Sequence, residues 1–128
     1  MNPDFLDVDD VLEIHALQTE RFGGVSGVLD RGRLESAVAQ PMAMFAGNFL
    51  HEDLYDMAAA YLFHIARDHP FFDGNKRTAL LAALVFLEIN GVSIRAEEDE
   101  LEDLAVGAAE GRADKSSLAR FFQDHATG

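Results

Sequence analysis

Leu54, Met57, Ala58, Tyr61, Leu62 and Ile65 stand at i, i+3, i+4, i+7, i+8 and i+11, the spacing of one helix face. Pro70 stops this helix before it runs through His69, because a residue ahead of proline is pushed out of the right-handed α region. Upstream, Val8, Leu12 and Ala16 share a face in a helix predicted from about Asp7 to Phe22, with Gly23-Gly24 as its stop. Asp30 is placed to cap a second helix that carries Leu34, Ala37 and Val38 and ends near Pro41. From Pro41 to His51 the pattern has no clear period and holds Gly47-Asn48, which reads as a loop or short hairpin. Lys76 to Ile89 is different again: from Ala79 to Leu87 it is apolar nearly all round, which belongs at the centre of a bundle.

Asn90-Gly91 suits the end of that helix, and Val92 to Ile94 reads as a short extended piece. Leu101, Leu104, Ala105 and Ala108 stripe a fifth helix behind the acids Glu97, Glu98, Asp99 and Glu100, which complement the helix dipole. Ser116 or Ser117 is placed to cap a last helix holding Leu118, Phe121 and Phe122. The expectation is all-α: one domain over residues 1–128, about six helices around the central apolar helix Thr78 to Leu87, with a short flap hairpin allowed before the third.

Composition changes this picture only by exclusion. With 48% hydrophobic residues and 3 prolines in 128, the chain can bury a core, and disorder is not expected. It has no cysteine, so disulfides and thiolate metal sites are ruled out. The opening "MNPDFLDVDD" carries acids where a signal peptide would carry cations and an apolar stretch. The longest apolar run, Thr78 to Leu87, falls short of the roughly 20 residues of a membrane span. A soluble cytoplasmic protein without a membrane partner is expected. The net charge of −13 repels nucleic acid phosphates, so direct nucleic acid binding is not expected either.

Against that charge, the nine positions "HPFFDGNKR" stand out, because Lys76 and Arg77 are the chain's one adjacent cation pair. The other cations look scattered along the sequence. Asp73-Gly74-Asn75 is a turn that runs straight into a helix, whose first N–H groups lack carbonyl partners. Glycine permits positive φ and close approach to a ligand, and together they form an anion nest of the kind that holds phosphate. Lys76 and Arg77 in the first turn oppose the dipole, and a local rule broken there suggests a site. His69 lies across a gap of a few residues, where an imidazole can take a proton from an attacking hydroxyl. Asp73 is a hard oxygen ligand beside phosphates, which favours Mg2+. These residues point to a nucleotide-dependent transferase. Phe71 and Phe72 are assigned mainly to the core. His15, His51, His64 and His125 show no metal-ligand spacing and are given no function.

"HPFFDGNKR" resembles the signature of the Fic/Doc family, and its lysine before the arginine resembles the Doc, or death-on-curing, branch of toxin–antitoxin toxins. "RFGGVSGVLDRGRLESAV" and "NKRTALLAALVFLEINGV" are similar to the same branch, so the likeness runs over roughly the whole chain. The resemblance implies a Fic/Doc-type bundle with His69 as the base, Asp73 on Mg2+, and Gly74, Asn75, Lys76 and Arg77 on the phosphates of ATP. It implies a type II toxin that moves a phosphoryl group from ATP to a hydroxyl of a target like elongation factor Tu, arresting translation. Two alternatives stand beside it. One is Fic-type transfer of AMP to a Ser, Thr or Tyr hydroxyl, and the other is an inactive binding module. AMP-transferring members usually carry a second arginine three residues after the first, where this chain has Leu80, and that favours phosphoryl transfer. No internal Ser/Thr-x-x-x-Glu-Gly/Asn inhibitory motif occurs, so control is expected from a separate antitoxin whose tail folds as a helix beside the site. The resemblance puts a target-docking or antitoxin-docking flap at Pro41 to His51, with Met44, Phe45 and Phe49 as its apolar residues.

Overall fold

The computed structural model describes residues 2–127. Six α-helices follow in order: α1 (Val8–Phe22), α2 (Arg31–Ala39), α3 (Leu54–Asp68), α4 (Asn75–Ile89), α5 (Glu98–Glu110) and α6 (Lys115–His125). A 3₁₀ turn (Gln40–Met42) leads from α2 into a hairpin of β1 (Met44–Phe45) and β2 (Asn48–Phe49). A second small pairing, β3 (Ser93–Ile94) with β4 (Ala126–Thr127), ties the chain's end back beside α4.

Carboxylates start most of these helices. The side chains of Asp7, Asp30, Asp53 and Asp114 each accept a backbone N–H two or three residues into α1, α2, α3 and α6. Asp10 returns the bond to Asp7 N–H at 2.9 Å, and Glu100 does the same for Glu97 at 3.1 Å at the head of α5. The cap of α6 is therefore Asp114, and Ser116 and Ser117 lie inside the helix. Asp114, two positions before Ser116, accepts the Ser117 N–H at 2.9 Å and takes the role expected of the serines.

The bundle's centre is α3. It packs against α2, α4, α5 and α6, and Met57 to Leu62 together with Ile65 are fully buried. The more apolar α4 lies along one side of it. Its Ala79, Ala82, Ala83, Phe86 and Leu87 are buried, while Leu80, Leu81 and Leu84 stay half-exposed. Hydrophobicity all round placed α4 at the centre, but one of its flanks instead walls a cavity. Alanines on the inward faces of both helices (Ala58, Ala59, Ala66 and Ala79, Ala82, Ala83) allow close approach. Tyr61 reaches across the core, donating its hydroxyl to Leu6 O at 3.1 Å and accepting Leu6 N–H at 2.9 Å. Asn90 grips Asp4 through both amide atoms, so the segment around Asp4 is pinned on the end of α4. No helix of the described residues is long and apolar enough to cross a membrane.

Candidate active site

Helix α3 ends at His69, whose backbone adopts the left-handed conformation with φ 54° and ψ 56°. A non-glycine residue held there is strained, and its exposed ring makes no hydrogen bond among the described residues. Next door, burial pushes the Asp68 carboxyl upward, with Arg33 and Arg67 opposing the shift. The loop to α4 is then fastened from three sides. The Pro70 carbonyl accepts the N–H groups of Leu29 at 2.8 Å and Asp30 at 3.1 Å, and Val28 bridges to Phe71. Phe71 is fully buried, with its N–H and C=O both bonded to the Asn75 amide at 3.0 and 2.9 Å. Phe72, assigned to the core from its residue type, is 53% exposed beside Gly27.

The third fastening comes from α1. His15 is buried, stacks on Phe71 with ring centres 3.8 Å apart and planes 4° from parallel, and donates from Nε2 to the Asp73 carbonyl at 2.8 Å. Its isolation in the sequence hid this role, because its partners lie more than 50 positions away.

Asp73 Oδ1 accepts the Gly74 N–H at 2.9 Å and Oδ2 accepts the Val25 N–H at 3.4 Å. Gly74, with φ 76°, opens α4, and no side chain caps that helix. The N–H groups of Asn75, Lys76 and Arg77 accordingly have no partner among the described residues. The Asn75 side chain is committed to Phe71, so only its backbone N–H can meet an anion, which narrows the role expected of that residue. Lys76 and Arg77 are exposed and form no ion pair among the described residues.

His69 and residues Asp73 to Arg77 all line one cavity of about 920 Å³. Arg21 from α1 and Arg67 from α3 line it too, so cations that look scattered along the chain meet at one mouth. Arg77 lies over the Phe22 ring at 4.4 Å. From there the cavity continues between α4 and α5 over Leu80, Leu81, Leu84, Leu101 and Val106, with Glu98, Glu102 and Glu110 of α5 also lining it. A smaller cavity of about 230 Å³, lined by Gln18, Thr19, Gly23 and Gly24, lies under Asp73 and Arg77. The donor set suits Mg2+: one hard carboxylate beside a phosphate-sized nest, where an ion that keeps most of its waters needs little more from the protein. Among the described residues no group of three or more acids and histidines forms a metal cage.

The flap residues divide. Met44 is 56% and Phe45 76% exposed on the hairpin, whereas Phe49 turns inward and packs on Phe5 with ring centres 5.6 Å apart. Phe49 therefore anchors the hairpin. None of the three lines the cavity.

Against known proteins, the model of the Fic/DOC family matches residues 5–87. Protein kinase doc of Escherichia phage P1 is 41% identical over 111 residues, covering 87% of this chain and 86% of that protein. Toxin Doc of Mycolicibacterium smegmatis (strain ATCC 700084 / mc(2)155) is 43% identical over 118 residues, covering 91% of this chain and 88% of that protein.

Proposed function

The chain belongs to the Fic/DOC family, and from that premise we propose that it is a Doc-like toxin of a type II toxin–antitoxin system. Its reaction is the Mg2+-dependent transfer of the γ-phosphoryl group of ATP to a hydroxyl of a target protein, a translation factor like elongation factor Tu. A cytoplasmic site of action follows from that target. The observation that carries this reading is the start of α4: open N–H groups with Lys76 and Arg77, which form no ion pair among the described residues, facing the same cavity as a His69 ring free of hydrogen bonds.

The chemistry divides among these groups. The N–H groups of Asn75, Lys76 and Arg77, with the two side-chain cations, hold the phosphates and take up the charge that develops on them. Asp73 would hold Mg2+, which would supply further neutralisation of the phosphate charge. His69 takes the proton of the acceptor hydroxyl as its oxygen bonds to the γ-phosphorus. The bond from that phosphorus to the bridging oxygen breaks, and ADP leaves. General-base help of this kind is worth about 10²–10⁴-fold. Leu80 sits on the cavity wall one turn below Arg77, so the place where AMP-transferring relatives carry a second arginine is apolar here. That favours phosphoryl over AMP transfer.

The groove of Leu80, Leu81, Leu84, Leu101 and Val106 suits the apolar face of a partner helix, and we assign it to the antitoxin tail, ordered on binding. Met44 and Phe45 on the hairpin are then left for the target protein.

Incubation with α- or γ-labelled ATP and a translation factor tests the reaction. Only the γ label should move to the target, and His69→Ala should abolish both transfer and growth arrest while antitoxin binding stays intact. Movement of the α label would establish AMP transfer instead, and undiminished arrest by His69→Ala would end the catalytic reading.

A further inference from the structure

We propose that His15 is a positioning residue of the transfer reaction, setting the polarity of the phosphate nest by holding the Asp73–Gly74 peptide in one orientation; this rests on the function proposed above. The α1 face around it is apolar, with Val11 and Ile14 buried, and packing there asks for no imidazole. A buried ring nitrogen needs a partner, and His15 Nε2 finds it in the Asp73 carbonyl at 2.8 Å. A carbonyl oxygen only accepts, so Nε2 carries the proton.

The consequence follows from the planar trans peptide, in which C=O and N–H point opposite ways. Drawing the Asp73 carbonyl inward, onto α1, turns the Gly74 N–H outward, where it meets the Asp73 carboxylate at 2.9 Å. It also begins the run of outward N–H groups at Asn75, Lys76 and Arg77. With that peptide flipped, a carbonyl dipole would face the phosphates. The ring also lies behind the turn: a Cβ added to Gly74 would point at it, 3.7 Å from His15 Cδ2 and Nε2. Stacking on Phe71, itself clamped by Asn75, fixes the ring's plane. One histidine of α1 thus orients both the metal-binding carboxylate and the anion site from behind, without lining the cavity.

The test separates the stack from the hydrogen bond. H15F keeps an aromatic ring against Phe71 and loses the donor, while H15Q keeps an N–H at similar reach and loses the ring; H15L replaces H15F if the phenyl ring unfolds the protein. For wild type and both variants, kcat and KM for ATP are measured with the labelled-ATP assay, melting temperature with calorimetry, and amide exchange over residues 71–77. The donor-less variant should melt close to wild type, lose about 100-fold in kcat as expected of a displaced nest, and exchange faster at residues 74–77. H15Q should recover most of both losses. Wild-type turnover in the donor-less variant, or equal damage in H15Q, overturns the assignment. If the wild-type protein moves no label at all, the proposed function fails on its own, and amide exchange still decides for or against His15.

Discussion

Gly24 has φ +107°, and a Cβ built on it would lie 2.5 Å from Asp73 Oδ2, closer than any such contact can be. A single missing methyl therefore keeps the loop after α1 against the carboxylate that is assigned to Mg2+. Gly24→Ala should cost about 1–3 kcal/mol from backbone strain alone and should also raise the Mg2+ concentration needed for half-maximal transfer. A metal titration on the folded variant checks this; an unchanged Mg2+ dependence would detach Gly24 from the site. Of the residues that build this centre, the signature was legible in the sequence because all of it falls between His69 and Arg77. Gly24 and His15 were not, since a close approach or a hydrogen bond across more than 40 positions leaves no local pattern. Asn75 shows the reverse case: its place in the signature was visible, yet its amide serves Phe71.

Among the elements, the existence and extent of the helices followed local rules, because helix period acts within one or two turns, but α1 buries Val11, Ile14 and His15 where its sequence stripe was Val8, Leu12 and Ala16. Between Pro41 and His51, of the loop and short hairpin that the pattern allowed, the hairpin is formed: its turn is Ala46-Gly47, with φ 51° and 82°, and Met44 pairs with Phe49. A two-residue turn with positive φ at both positions matches strand twist but strains alanine. Ala46→Asn, which tolerates this conformation, should stabilise the hairpin locally by about 1 kcal/mol. Slower exchange of the Leu50 amide, which donates to Ala43 O at 2.9 Å, reports it. Unaltered exchange would mean that packing of Phe49 on Phe5, and not the turn, limits opening.

Over the whole molecule, with a net charge of −13, acids cap helices and line α5, and Arg21, Arg67, Lys76 and Arg77 nonetheless converge on one cavity whose other lining includes Glu98, Glu102 and Glu110. A second polar cluster lies away from it. Lys115 Nζ donates to His64 Nε2 at 3.3 Å, and burial first, then Lys115 and His51, push the His64 pKa down to about 4. His51 is lowered as well, by burial and Lys115, with Asp56 opposing. The unfolded chain therefore binds protons that the folded one refuses between about pH 6.5 and pH 4, so stability falls as pH drops through that window. Allowing for solvent screening of the half-exposed His64 ring, the loss is about 1 kcal/mol. Denaturant unfolding at pH 7.5 and 5.5 should show it, and His64→Gln should flatten the slope; a slope unchanged by the substitution would assign the effect to other groups.

By itself, the sequence determined what depends on neighbours in the chain: six helices, the Asp30 cap of α2, the glycine stop after α1, the proline stop at His69, and the glycine turn before α4 with its two cations. Tertiary structure alone decided which helix lies at the centre, which cations share a cavity, and that His15 holds the Asp73 carbonyl. The reason is range. Dihedral preference, capping and helix period are settled within a few residues, whereas the partner of a buried imidazole or an unpaired guanidinium depends on how whole helices pack, and packing is chosen by the sum of many buried contacts at once.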